Sequence, residues 1–318
     1  MSSATSGSSN VLYLRGTGNT KITGSSFNYK WVLTGNNIKC IGNIENLLDY
    51  ATVIAGNHPP MVNYCYTSMF QSCTSLIQAP ALPATTLAYN CYSNMFKGCT
   101  SLTQAPALPA TTLTSECYNG MFWSCTALTQ APELPATTLS DNCYYGMFDS
   151  CTSLIQAPAL PATTLAYNCY SGMFYGCTSL TQAPALPATT LIENCYSGMF
   201  QGCTSLTQAP EILAITMADY CCNLMFYGCT SLTQAPALPA TTLANNCYNS
   251  MFQGCTSLKL STTKTGEYTQ EYRIPTSGTG TTATDALTNM FTDTGGTFTG
   301  TPEINTTYYL SNTNTVVS

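Results

Sequence analysis

Apolar residues recur along most of the chain in a motif with a period of 26 residues. The motif is Cys-Tyr-x-x-Met-Phe-x-x-Cys, and its first Cys falls at positions 65, 91, 117, 143, 169, 195, 221 and 247, with Cys222 replacing Tyr in one copy. A period of this length is typical of solenoids, in which each unit packs only on its neighbours. The pattern therefore predicts a stack of eight 26-residue units.

The first part of each unit has the spacing of a short helix. In residues 91–116, Cys91, Met95 and Cys99 lie four residues apart, which would place them on one helical face. Asn90 precedes them and is a favourable N-cap residue. We predict a helix of about two turns here, partly of the 3₁₀ type.

The second part of each unit predicts a short parallel strand. It runs from about Ser101 to Ala105 and ends before Pro106, because proline lacks the N–H that a central strand donates. The side chains expected to face inward are Leu102, Ala105, Leu108 and Leu113. Stacked strands lie ~4.8 Å apart and packed helices ~8–10 Å apart, so we expect a curved stack with strands on the concave side and helices on the convex side.

Both ends of the chain depart from the repeat and are predicted to cap it. Residues 11–40 alternate apolar and polar positions with Gly-Asn punctuation, which predicts β-hairpins, and residues 44–50 predict a helix. After the Thr- and Gly-rich stretch 261–283, Asn289-Met290-Phe291 resembles a degenerate ninth helix, and 297–318 is expected to be β or extended. The predicted domains are a β-rich and helical cap at 1–64, the solenoid at 65–258 and a Thr-rich cap at 259–318.

The units resemble the BspA-like leucine-rich repeats of bacterial surface proteins. The resemblance lies in Met-Phe-x-x-Cys-Thr-Ser-Leu (residues 95–102), followed by the strand and a Pro turn, and it covers residues 61–258. It implies an α/β leucine-rich-repeat solenoid with β-rich caps, and a role in adhesion and surface recognition. The unit is slightly longer than the family's usual repeat.

Composition narrows the class of partner. Only 7% of residues are charged, the net charge is −6, and the eight Lys and Arg form no cluster that could neutralise phosphates. Nucleic acid and anionic membranes are therefore not expected partners. No apolar run approaches the ~18 residues that span a bilayer. The polar surface consists of Thr, Ser, Asn, Gln and Tyr, which suits a protein or carbohydrate receptor.

The N-terminal residues MSSATSGSSN lack the basic and apolar regions of a Sec signal peptide. We expect an extracellular, cell-surface or virion location reached by another route, although a cytosolic protein or a fragment fits the same residues.

The cysteine rows have three interpretations. Zinc binding is disfavoured because the spacing C-x7-C is not a zinc spacing and no His accompanies it. A disulfide within one unit is disfavoured because helical residues eight apart are ~12 Å apart, beyond the ~7 Å limit on Cα separation, although pairs between neighbouring units stay open. The third interpretation is a ladder of buried thiols in the core. We expect no metal and no cofactor.

Three positions of each unit vary freely from copy to copy. Counted from the first Cys, they are offsets −2, +2 and +6, and their spacing of four places them on one solvent-facing stripe of the predicted helix. The variation is explained either by tolerance of exposed positions or by recognition of a ligand. The candidate binding residues on this convex stripe are Tyr89, Lys97, Trp123, Tyr145, Asp149, Tyr167, Tyr175, Glu193 and Tyr227.

The predicted strand face is, in contrast, nearly constant. It carries regular polar ladders formed by Thr103, Gln104, Thr129, Gln130, Thr181, Gln182, Thr207, Gln208, Thr233 and Gln234. These ladders stabilise neighbouring strands through stacked amides and hydroxyls, or they hold a repetitive ligand such as a polysaccharide along the groove.

Nothing in the sequence resembles an assembled active site. The only histidine, His58, lies in the turn Gly-Asn-His-Pro-Pro, and no Ser-His-Asp set, phosphate-binding loop or paired-carboxylate cleft is recognisable. We therefore predict a non-enzymatic recognition or adhesion module that binds a protein or glycan receptor. The alternative is a structural spacer or fibre component that self-associates.

Overall fold

The computed structural model describes residues 11–24, 30–274, 283 and 285–317, and over this part the chain is a repeat solenoid with few and short regular elements. The helix is α1 (Asn46–Ile54), and the strands are β1 (Ile38–Lys39), β2 (Leu76–Gln78), β3 (Gln234–Pro236), β4 (Lys259–Ser261), β5 (Tyr268–Arg273), β6 (Gly295–Gly296), β7 (Thr307–Ser311) and β8 (Thr315–Val317). Across these described stretches, no helix has the length and apolarity needed to cross a bilayer.

The predicted helix within each unit is wrong. The segment is instead a run of overlapping β-turns, in which every fourth residue has a left-handed backbone, as at Asn90 (φ 59°), Asn94 (φ 53°) and Gly98 (φ 73°). Turn hydrogen bonds close over three residues, such as that from Met95 N–H to Tyr92 C=O at 3.2 Å. We call these segments the turn ribbons; they comprise residues 64–73, 90–99, 116–125, 142–151, 168–177, 194–203, 220–229 and 246–255.

The turn ribbons are joined to each other by backbone hydrogen bonds. Every second N–H closes a turn, and the N–H between donates to the next unit, as from Phe96 to the carbonyl of Met121 at 2.9 Å. An α-helix uses its N–H groups internally and cannot make such bonds. Rings in neighbouring ribbons are consequently only 5.5 to 6.1 Å apart. A curved stack was expected because packed helices lie farther apart than paired strands. Since these segments are not helices, that reason for curvature does not apply.

The predicted strands of the repeats are mostly reduced to single parallel bridges. Gln104 pairs with Gln130, and the same position continues this row to Gln156, Gln182, Gln208 and Gln234. Only β2 and β3 extend over three residues in this row. The proline two residues after each Gln cannot donate to a neighbouring strand, which keeps the pairing short.

The core consists of rows of the same side chain, with one interruption, where Cys222 stands in the Tyr row. Cys91, Tyr92, Met95, Phe96 and Cys99 are fully buried, as are their equivalents in the other units. The inward positions predicted for Leu102, Leu108 and Leu113 are confirmed, whereas Ala105 is half-buried and Ala110 takes a buried place.

The N-terminal segment does not form the predicted hairpins in its described part. It runs along the first ribbon instead, with hydrogen bonds from Ile22 N–H to Cys65 C=O (2.9 Å) and from Trp31 N–H to Met69 C=O (2.8 Å). Strand β1 pairs in parallel with β2 rather than with a hairpin partner. Residues 25–29 of the predicted hairpins lie outside the described residues. The predicted helix is confirmed as α1, which extends to Ile54 with a kink at Asp49.

The C-terminal part combines one more ribbon with a small sheet. Residues 285–293 repeat the left-handed pattern, and Phe252 stacks on Phe291 at 5.6 Å, so this segment is a turn ribbon and not a helix. The sheet has the order β5-β7-β4-β6, and β8 pairs in parallel with β3. The domain boundaries themselves stay a prediction.

Candidate recognition surface

The backbone of the turn ribbon repeats every four residues, and this period decides which side chains face solvent. Offsets 0, +4 and +8 and offsets +1 and +5 face the core, while offsets −1, +3 and +7 have the left-handed backbone. Offsets −2, +2 and +6 form three parallel rows, which we call the ribbon face; most of their side chains reach the surface, whereas Thr67 and Ser93 are buried. All nine candidate residues lie on it, although on turns rather than on the convex side of helices.

The nine residues differ in the exposed fraction of their side chains. Tyr145, Tyr167, Tyr175 and Tyr227 are 36 to 43% exposed, enough for each ring to offer its edge and part of its face to a ligand. Glu193 is also exposed. Tyr89, Lys97, Trp123 and Asp149 are half-buried among their neighbours.

Lys97 and Trp123 occupy the same row in neighbouring units and contact each other. The Lys97 ammonium nitrogen lies 3.6 Å from the centre of the Trp123 ring, a cation–π contact. Burial lowers the pKa of Lys97, and the charge of Asp149, two units further along, opposes this. Burial raises the pKa of Asp149, while a hydrogen bond from Ser150 and the charge of Lys97 lower it. This face thus holds one cation of its own, in contact with an aromatic ring and under the influence of a more distant carboxylate.

The Tyr89 side chain is held in place by Glu116, a residue outside the predicted stripe. Its hydroxyl donates to Glu116 at 3.1 Å, and Asn90 donates to the other oxygen of that carboxylate at 2.6 Å. Burial, followed by the contact with Glu116, raises the pKa of Tyr89 to about 12. Glu116 lies at offset −1, where the backbone is left-handed, and not on the predicted stripe. Its contact with Tyr89 arises because two units pack together, which the spacing within one unit does not indicate.

Negative charge and tyrosines concentrate in the middle of the ribbon face. Residues 61–258 contain seven acidic residues and a single cation, Lys97. Four of those acids lie at face positions. We call the following set the acidic aromatic patch: Asp141, Tyr145, Asp149, Tyr167, Tyr175, Glu193, Asp219 and Tyr227. It spans four consecutive units and carries no cation, so it would attract a positively charged partner.

The cysteines belong to the core. All eighteen are free thiols, and seventeen are buried. In the second Cys row each thiol from Cys99 onward donates to a Phe carbonyl of the preceding unit, as from Cys125 Sγ to Phe96 O at 3.1 Å, whereas Cys73 donates to the Trp31 carbonyl. Burial raises the pKa of Cys117 to about 12. In the part of the chain that the structure describes, no three His, Cys, Asp or Glu side chains are placed to hold a metal ion.

His58 has a partner that the sequence did not indicate. Its Nδ1 lies 2.7 Å from Glu45 Oε2, and the Glu45 side chain is almost fully buried whereas that of His58 is half exposed. Among the described residues this is the only close contact between a Lys, Arg or His nitrogen and a carboxylate oxygen. This contact holds the turn around His58 against the start of α1, which fits a structural rather than a catalytic role for this histidine.

The fold and the ribbon face define the class: a repeat solenoid with a constant core and a variable outward surface. No family model and no curated protein matches the chain. Among solved structures, a leucine-rich repeat protein of T. pallidum is 22% identical over 46% of this chain and 62% of its own, with a TM-score of 0.31. A leucine-rich repeat protein from Bacteroides ovatus is 19% identical over 69% of this chain and 67% of its own, with a TM-score of 0.30. The chain thus spans about two thirds of each, and both TM-scores are too low to assign a fold or a function.

Proposed function

We propose that the chain is a non-enzymatic recognition module that binds a protein or glycan receptor through its ribbon face. In this proposal it is a BspA-like leucine-rich repeat, exposed on a cell surface or carried on a virion. The observation that carries it is the acidic aromatic patch: exposed tyrosines and carboxylates, of which Asp141 and Glu193 are exposed and Asp149 and Asp219 half-buried, vary from unit to unit on a scaffold whose buried residues hardly vary.

The physical support is preorganisation. The backbone under the patch is hydrogen-bonded within each ribbon and to the next one, so the side chains are held at fixed intervals before a ligand arrives. Binding therefore costs little backbone entropy. Tyrosine adds a large contact area with only two rotatable side-chain bonds, which makes it common on recognition surfaces.

The chemistry of the patch indicates which part of a receptor it would contact. The pair formed by Lys97 and Trp123 shows the arrangement in which this face accommodates a cation. A receptor surface with Lys, Arg or amino-sugar groups would find the same partners, a ring and a carboxylate, at Tyr175 and Asp149. Its association should weaken as salt concentration rises, because exposed charges are screened.

The test is a binding screen of labelled protein against bacterial surface glycans, intact gut bacteria and host matrix proteins. A variant with Tyr145, Tyr167, Tyr175 and Tyr227 changed to Ser should lose binding and keep its circular-dichroism spectrum. The matched control changes four exposed threonines of another face to Ala (Thr111, Thr137, Thr163 and Thr189) and should bind normally. Binding retained by the Ser variant would contradict a site on the ribbon face.

A structural spacer is the second candidate, supported by the continuous hydrogen-bonded stack. The C-terminal end of that stack argues against end-to-end growth, because the N–H groups of the last ribbon already have acceptors within the chain. Asn289 donates to Thr301, Phe291 to Gly300 and Asp293 to Thr299, each at 2.9 Å. Light scattering after size exclusion separates the two candidates. Concentration-dependent oligomers together with no binding in the screen would favour the spacer.

A further inference from the structure

A second regular surface lies on the Gln-Ala-Pro-Ala stretch of the first seven units, in which Glu133 and Glu211 replace the last Ala, and we call it the glutamine face. Its row consists of Gln104, Gln130, Gln156, Gln182 and Gln208, joined one to the next by parallel backbone bridges. The bridges hold these residues in register, with one amide presented per unit. Parallel strands lie ~4.8 Å apart, which sets the interval between amides.

These amides have no partner within the part of the chain that the structure describes. All five side chains are exposed, and none donates or accepts a hydrogen bond there. The expected stabilisation of this face thus gains no hydrogen bond from the amides, whereas one hydroxyl of the ladder, that of Thr233, donates to the Thr207 carbonyl at 3.3 Å. Each amide keeps two N–H donors and a carbonyl acceptor available for a ligand.

The surface beside the glutamine row is concave and is lined by both polar and apolar groups. Two hollows of about 270 and 350 Å³ lie along it and share Gln182, Ala183, Pro184 and Ala185 as walls. Because the hollows share these walls, they form one groove along the stack from Gln156 to Pro210. The groove is lined by Gln amides and by Pro and Ala side chains, and its part beside Gln208 also includes Glu211 and Val317.

The charge of this face restricts the ligand. In residues 61–258 the only charges in the corresponding stretches are Glu133 and Glu211, and the only cation, Lys97, lies on the ribbon face. An anionic polymer would find no counter-charge here. A protein surface is also a poor match, because its side chains vary, whereas the Gln, Ala and Pro contacts of this groove recur from unit to unit, with Glu211 in place of Ala in one of them.

We propose that the glutamine face binds a linear, neutral polysaccharide that lies along the stack. Its amides would donate to and accept from sugar hydroxyls, and the Pro and Ala side chains would contact the C–H faces of the rings. A sugar residue in an extended glycan has a length comparable to the interval between units, so successive residues meet equivalent sites. This deepens the recognition function proposed above but uses another face, so the two proposals can fail separately.

The experiment is affinity electrophoresis of the full chain in gels that contain mixed-linkage β-glucan, arabinoxylan, glucomannan or dextran, with polygalacturonate as the anionic counterpart. At least one neutral polymer should retard the protein, and polygalacturonate should not. Changing Gln130, Gln156, Gln182 and Gln208 to Ala should weaken retardation by at least about tenfold, since several hydrogen bonds are lost at once. These side chains are exposed and unpaired, so the circular-dichroism melt of the variant should not change.

The variant with four Tyr-to-Ser changes on the ribbon face is the matched control and should be retarded like the original protein. For the polymer that binds, a hexasaccharide should bind more tightly than a disaccharide, because it spans several amides. Retardation by none of the neutral polymers, or equal retardation of the Gln variant, would overturn this proposal. Either result would leave the receptor screen on the ribbon face unaffected.

Discussion

The core side chains of this protein pack against the equivalent side chains of both neighbouring units, so that each is one member of a row. Each Phe ring of the core lies parallel to the equivalent ring of the next unit, as Phe174 does between Phe148 and Phe200 at 5.7 and 5.6 Å. A change at one position therefore affects the packing on both sides. The adjacent Tyr row behaves similarly but is interrupted at Cys222, a buried residue in place of the ring.

The first prediction concerns Phe174. Changing it to Ala should lower the free energy of unfolding by about 3–5 kcal/mol, because it removes a fully buried ring and leaves a cavity between two others. Urea denaturation followed by circular dichroism measures the loss. Its neighbour Tyr175 is exposed, so Tyr175→Ser should change stability by no more than about 0.5 kcal/mol. Equal effects of the two changes would contradict the assigned core.

At the scale of the element, the decisive feature is the turn ribbon. The spacing i, i+4, i+8 fits a helix, and it also fits a backbone that repeats every four residues. What distinguishes them is the position before each inward pair, which carries Asn, Gly or Ser in most units. Gly and Asn adopt a left-handed backbone at least cost, so their recurrence every fourth residue was a signal for turns.

Gly172 provides a test that separates the ribbon from a helix. Its φ is 60°, and a Cβ placed there would meet nothing within 4 Å, so only the backbone conformation opposes a side chain. Gly172→Ala should destabilise the protein by ~1–2 kcal/mol. In a helix the same change would stabilise it by ~1 kcal/mol.

The control for this test is Gly172→Asn, since Asn94 occupies the equivalent left-handed position in another unit. Its loss, measured by urea denaturation, should be smaller than that of the Ala variant. A more stable Ala variant would show that the segment is helical.

For the whole molecule, the buried thiols and phenols make stability depend on pH. Burial raises the pKa of Cys117 and of Cys169 from 9.0 to about 12. Burial also raises the pKa of Cys151 and of Tyr144, in each case well above the ordinary value. The folded chain thus retains protons that the unfolded chain loses, so stability falls as pH rises through this range.

We therefore expect full stability below the ordinary thiol pKa of 9.0 and a falling melting temperature between this pH and about 12. Thermal melts followed by circular dichroism at constant ionic strength measure the effect. The control is the same series under reducing conditions, which excludes disulfide formation as the cause. A melting temperature that stays constant above pH 9.0 would contradict the burial of these groups.

The sequence by itself determined the period of the repeat, the rows of Cys, Tyr, Met and Phe that fill the core, and the positions that face solvent. These follow from local spacing, which is the same for a helix and for a ribbon with four residues per repeat. The helix α1 was also readable, because its pattern is local.

Only the tertiary structure decided the ribbon itself, because half of its N–H groups find their acceptors in the next unit, about 25 residues away in the chain. The same reason explains two contacts that the sequence did not predict. Glu116 contacts Tyr89 and Glu45 contacts His58, and neither contact follows from the spacing of residues within one unit. The predicted hairpins failed likewise, since the N-terminal segment finds its hydrogen-bond acceptors on the first ribbon. Local pattern thus fixed which side chains are inside, and pairing between units fixed the backbone that carries them.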